Sequence, residues 1–140
     1  MLSGYGASVK GMGVPVDLRY STDHEWVRLN GRVATVGITE YAQDALGDIV
    51  FVQSPQIGGV VAAGGTITEI ESTKSVSDIY APVPGTLSAF NPLLAESPEL
   101  MNSDPYGAGW LCTLDLDEET AVGAYDSLLD AAAYDALIGG

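Results

Sequence analysis

Lys74 is the residue whose type and setting most call for a chemical explanation. The chain has two lysines in 140 residues, Lys10 and Lys74, and 5 basic residues against 19 acidic ones. Lys74 lies in "ITEIESTKSVSDIYAPVPG", Ile67 to Gly85, between two strand-like runs. Glu71 stands three positions before it and Asp78 four after it. Two readings fit this pattern. One is a solvated lysine in a turn, paired weakly with nearby acids for about 0–1 kcal/mol. The other is a handle that a second enzyme acylates. Such an amine must be exposed, rigidly presented and distinct from its competitors, and a hairpin tip in a lysine-poor chain meets those needs. The remaining reactive types offer less. The single histidine, His24, and the single cysteine, Cys112, are too far apart in sequence to suggest a metal-ligand spacing. Cys112 sits in the apolar run "GWLCTLDL" and reads as a small buried hydrophobe.

The elements that must position Lys74 are mostly short strands. "EWVRLNGRVATVGI" reads as a hairpin, with Trp26 to Leu29 and Val33 to Ile38 flanking Asn30-Gly31. "TEYAQDALGD" reads as a short helix with Thr39 as N-cap and Gly47 as its stop. Its apolar stripe is Tyr41, Ala42, Ala45 and Leu46. "DIVFVQ", "TITEIE", "VSDIY", "TLSAF" and "WLCTLDL" read as further strands, and Ser97-Pro98-Glu99 as one helical turn. From Asp117 onward apolar residues recur at helical spacing, Tyr125, Leu128, Leu129 and Ala132, then Tyr134, Leu137 and Ile138. Short strands with Gly/Pro turns point to a mainly β sandwich or barrel-like fold with short C-terminal helices.

The length fits one domain. Residues 1–16 read as a disordered leader and 17–140 as the folded unit, with a β core over about 17–116 and helices over about 117–138. The formal net charge of −14 argues against nucleic acid and against anionic membrane surfaces. No apolar run is long enough to span a bilayer as a helix, and the N-terminus lacks an apolar signal region. The common nucleotide, zinc and hydrolase motifs are missing.

"GGVVAAGGTITEIESTKSVSDIYAPVPGTL" resembles the modification hairpin of the lipoyl/biotinyl carriers. Biotin carriers usually flank the lysine with Met, whereas Thr73 and Ser75 stand here. The acyltransferases of 2-oxoacid dehydrogenases usually have Asp before it. "ESTKSVSD" instead resembles the H-proteins of the glycine cleavage system. "YSTDHEWV", "VGITEYAQDALGDIVFV" and "ELMNSDPYGAGW" are similar to segments of the same family, in family order.

The resemblance implies a hammerhead (barrel-sandwich hybrid) fold and a carrier that is not itself an enzyme. It implies lipoate in amide linkage on Lys74, the lipoyl attachment site. The arm would take the aminomethyl group of glycine from a pyridoxal-phosphate glycine decarboxylase (P-protein). It would pass that group to a tetrahydrofolate-dependent aminomethyltransferase (T-protein), and electrons to dihydrolipoamide dehydrogenase (L-protein). A lipoate ligase or lipoyl transferase would load it. Asp23, Glu25 and Asp78 match the polar contacts of the cleft that receives the loaded arm; for Glu25 and Asp78, surface solvation or hairpin capping is the alternative. His24 reads as structural, satisfied by a backbone carbonyl. Trp26 and Trp110 read as core or cleft wall, and Tyr106 with Gly107 and Gly109 as a tight loop beside the arm. A monomer follows by the same analogy; the bacterial cytoplasm is expected because no transit peptide is evident, with the mitochondrial matrix as the less favoured alternative. Other readings are a lipoate-relay protein serving 2-oxoacid dehydrogenases, an unmodified structural relative, and a biotin carrier.

Overall fold

The computed structural model describes residues 13–117 and 123–139. In chain order its elements are β1 (Arg19–Tyr20), β2 (Glu25–Asn30), β3 (Val33–Ile38), α1 (Glu40–Leu46), β4 (Ile49–Val52), β5 (Val60–Val61) and β6 (Thr66–Ser72). There follow β7 (Val76–Tyr80), β8 (Gly85–Phe90), α2 (Leu100–Ser103), β9 (Cys112–Asp115) and α3 (Ala131–Leu137). The strands make two antiparallel sheets, β1-β2-β3-β9-β8-β5 and β4-β6-β7. Residues 118–122, inside the expected helical tail, and the first 12 residues of the expected leader lie outside the described residues.

The two sheets face each other across one apolar core. Val27, Val36, Leu87, Cys112 and Leu114 from the larger sheet meet Ile49, Val52, Ile70 and Ile79 from the smaller. Each such side chain contributes roughly 1.5–3 kcal/mol by leaving water. Period-two alternation breaks in β2, where Glu25, Trp26 and Val27 are all buried. Both faces of β2 are covered at this point. Val27 enters the sandwich core, while Trp26 enters a second cluster with Val14, Leu18, Tyr20, Ala131 and Tyr134. The Trp26 indole N–H donates to the Pro105 carbonyl at 2.9 Å. Its ring lies where Gly37, its partner in β3, has no side chain, and a Cβ there would come within 2.5 Å of the ring. Trp26 is therefore core, and the packed chain starts no later than Val14, three residues before the expected boundary.

Local differences from the sequence pattern have simple causes. Asn30 pairs with Val33, so the two-residue loop of the first hairpin is Gly31-Arg32 rather than Asn30-Gly31. Gly31 takes the positive φ of 63° that the first central position requires. Asn91 caps an unexpected 3-10 turn over Pro92–Ala95 by accepting from the Leu93 N–H, with Pro92 at the first position. In α1, Ala42 and Leu46 pack on the core, whereas Tyr41 and Ala45 are exposed, so the stripe is narrower than expected. In α3 the buried residues are Ala131 and Tyr134, not Ala132.

Candidate functional site

Lys74 is exposed at the tip of the β6–β7 hairpin. The turn is closed by its own serine. Ser72 Oγ accepts from the Lys74 N–H at 3.2 Å and from the Ser75 N–H at 3.1 Å, and the Ser72 N–H donates to the Ser75 carbonyl at 2.8 Å. One tie reaches outside, from the Thr73 N–H to the Asp48 carbonyl at 3.0 Å. The lysine chain runs over Gly47, which ends α1 with φ 82° and ψ −162°. A Cβ on Gly47 would meet Lys74 Cε at 3.0 Å. A glycine is needed here for its backbone conformation. On the outward face below the tip, Phe51, Glu71 and Val76 sit side by side across three strands, and Glu69 stands opposite Asp78. Phe51 and Val76 are 51% and 61% exposed, so the lysine is flanked by open apolar surface.

The three carboxylates singled out from the sequence occupy unlike positions. Asp23 and Asp78 are exposed. Glu25 is only 2% exposed. Its Oε1 lies 2.6 Å from Ser21 Oγ, and its Oε2 accepts from the Tyr80 N–H at 3.1 Å. It thereby joins the turn before β2 to the end of β7, bringing Asp23 and Glu25 beside the strand that holds Asp78. Burial, partly offset by the bonds from Ser21 and Tyr80, pushes the Glu25 carboxyl up to about 7. This carboxyl can change charge near neutral pH, as a surface glutamate would not.

His24 is held by a side chain, not by the backbone carbonyl expected for it. It has a positive φ of 70°, in the left-handed region, and its Nδ1 lies 2.8 Å from the Tyr134 hydroxyl. Burial pulls its pKa down. Its ring packs at 4.6 Å from that of Tyr41. Tyr106 does shape a tight loop: its hydroxyl accepts from the Glu40 N–H at 2.9 Å, and Gly107 and Gly109 lie against Asp104 and the Leu100 carbonyl. Cys112 is buried and its thiol is pushed up to about 12, so it is unreactive near neutral pH.

Asn102 escaped the sequence reading. Its amide donates to the Gly47 carbonyl and to Gln43 Oε1, both at 2.9 Å, and its Oδ1 accepts from the Ile49 N–H at 2.9 Å. It fixes the end of α1 over which Lys74 lies. The helical turn expected at Ser97-Pro98-Glu99 lies just before it, but no local signal says that its side chain reaches back more than 50 residues.

A buried core that presents one lysine on a locked turn matches a known group of proteins. The family model described as "Glycine cleavage H-protein" matches residues 18–139. The chain belongs to this family. Among its relatives, the glycine cleavage system H protein of Mycobacterium avium is 54% identical over 123 residues, covering 86% of this chain and 93% of that one. That of Beutenbergia cavernae is 53% identical over 129 residues, covering 92% and 99%. The crystal structure of the Mycobacterium marinum H protein superposes with a TM-score of 0.81 at 40% identity, over 91% of this chain and 100% of that one. As an H-protein, the chain is a carrier component of the glycine cleavage system, working with its other components, and is not itself a catalyst. It has the lipoyl-carrier type of fold. Among the described residues no helix is long and apolar enough to cross a membrane.

Proposed function

We propose that Lys74 carries lipoate in amide linkage and that the tethered arm shuttles the aminomethyl group of glycine between enzymes. The observation that carries this reading is the geometry of the tip. Lys74 is the one lysine among the described residues, its amine is exposed, and Ser72 holds the backbone on both sides of it. A lipoylating enzyme needs just such an amine, and the open side of Gly47 with the apolar flank of Phe51 and Val76 gives room for an aliphatic chain. When bound, the dithiolane would supply a disulfide that is reduced as it takes up the aminomethyl group, leaving a dithiol that gives up two electrons once that group has been passed on. Tethering raises the arm's effective concentration at each partner's site.

The chain's own part is to hold and protect the cargo. Asp23, on the turn before β2, and Asp78, on the strand whose Tyr80 N–H donates to Glu25, offer exposed carboxylates suited to an ammonium group through charge-assisted hydrogen bonds. Glu25 is buried and ionises more readily when a cation approaches, since an opposite charge nearby lowers a carboxyl pKa. The partners in this reading are the glycine decarboxylase, the aminomethyltransferase and dihydrolipoamide dehydrogenase, with a lipoate ligase or transferase for loading. The protein works as a monomer in the bacterial cytoplasm; its bacterial relatives support that setting.

The test is an intact mass of protein purified from its native host, followed by peptide mapping across residues 71–80. One lipoyl increment on Lys74 is expected. A biotin increment, or unmodified lysine in native material, overturns the reading.

A further inference from the structure

The C-terminal helix reaches the Asp23–Glu25 turn through one side chain, Tyr134. Tyr134 is fully buried on α3, with its ring stacked on Tyr20 at 4.6 Å and 11°. Its hydroxyl lies 2.7 Å from Thr39 Oγ1 and 2.8 Å from His24 Nδ1. Thr39 is the N-cap of α1: its Oγ1 accepts from the Ala42 N–H at 3.1 Å, and its own N–H donates to the His24 carbonyl at 3.1 Å. His24 lies between Asp23 and Glu25 and takes a left-handed backbone that is uncommon for a non-glycine residue.

The proton inventory closes in one direction. The Ala42 N–H donates to Thr39, the Thr39 hydroxyl donates to Tyr134, and the Tyr134 hydroxyl donates to neutral Nδ1 of His24. Each hydroxyl then donates once and accepts once. Three parts of the chain, far apart in sequence, meet at the tyrosine oxygen: α3, the start of α1, and the Asp23–Glu25 turn. α1 is 7 residues long, too short to hold itself without such ties. Its far end, at Gly47, is the end against which Lys74 lies.

Resting on the carrier reading above, we infer that Tyr134 is a positioning residue for cargo protection. Its hydroxyl fixes the turn bearing Asp23 and Glu25 relative to α1, so that the carboxylates meet the arm's cargo while the lysine tip is built independently. α3 is thus part of the machinery that shields the cargo, not merely a cover over Trp26.

The experiment uses Tyr134→Phe, which keeps the ring stack and removes only the hydroxyl, together with Thr39→Val and Thr39→Ser. Amide exchange is measured first, on the unlipoylated proteins. In Tyr134→Phe and Thr39→Val, exchange at the Thr39 and Ala42 amides should rise roughly five- to tenfold, the size of one lost hydrogen bond. Thr39→Ser should stay near wild type. The proteins are then lipoylated and loaded. Lipoylation of Lys74 should proceed at the wild-type rate in every variant, while the loaded form of Tyr134→Phe and Thr39→Val decays faster by a similar factor. Faster exchange with an unchanged decay rate overturns the inference, as does a Thr39→Ser variant as impaired as Thr39→Val. A wild-type protein that accepts no lipoyl group would instead bring down the carrier reading, and the positioning role with it.

Discussion

At the tip of the β6–β7 hairpin, the backbone around Lys74 is held chiefly from within four residues; at Glu25, the carboxylate is held by partners 4 and 55 residues away. The tip is exposed and its bonds compete with water. The glutamate is buried, and each of its bonds replaces one that water would have made. Both arrangements suit a carrier. The lysine proposed to carry the arm sits on a turn that can be presented without disturbing the core. The carboxylate proposed to receive the returning cargo is fixed to the core, where a shift of its surroundings changes its charge.

Substituting Lys74 by Arg should separate the two regions most sharply. The charge stays and the tip's backbone bonds do not involve the side chain, so fold and melting temperature should be unchanged. Lipoylation, and with it glycine–bicarbonate exchange by the decarboxylase, should fall to background in an assay with purified components. Residual exchange would mean that the carrier chemistry does not reside at the tip.

Glu25→Gln probes the other region through pH. The folded-state pKa is raised above the ordinary value, so the protonated form is favoured by folding. Its contribution is fully present below about pH 4.5 and is lost as pH rises through about 7. Wild type should therefore lose up to about 3 kcal/mol across that window relative to the Gln variant, which does not titrate. Urea unfolding at several pH values measures this. A constant difference between the two proteins would show that folding does not raise the Glu25 pKa and that it is not the buried, titrating group described here.

The same contrast governs what could be read from the sequence. The first hairpin, the ends of α1 at Thr39 and Gly47, and the turn at Lys74 are written in residues close to one another, and the structure has them within a residue or so. The Asn30-Gly31 signal placed the hairpin but missed its register by one, because cross-strand packing, not the dipeptide alone, decides which pair becomes the loop. Glu25 could be singled out through family resemblance, but its burial could not, since it depends on the Tyr80 N–H closing over it. Asn102 and Tyr134 are plainer cases. Each fastens one end of α1 from a distant part of the chain, and nothing in their own neighbourhoods distinguishes them from an ordinary polar residue in a turn or an ordinary aromatic on a helix.

Gly47→Ala acts where the two regions come closest. The backbone there lies in a region that only glycine occupies readily, so the substitution should cost about 1–3 kcal/mol, read as a lowered urea midpoint. The new Cβ would also push on Lys74 Cε, so lipoylation should slow more than the loss of stability alone accounts for.

The smallest effect is expected at Ser72. Ser72→Ala removes the oxygen that accepts from the Lys74 and Ser75 amides. Both amides are exposed and can turn to water, so the cost should be about 0.5–1 kcal/mol, a shift in melting temperature of a few degrees. The lysine should then be presented in many backbone arrangements instead of one. A lipoylating enzyme would have to order the turn itself, and its kcat/KM should fall through KM, with kcat little changed. The pH dependence of stability set by Glu25 should not move, because no hydrogen bond among the described residues joins Ser72 to that site directly. If Ser72→Ala altered that pH dependence, tip and buried carboxylate would be one coupled unit, and the independence that lets this carrier present its lysine without disturbing its core would have to be abandoned.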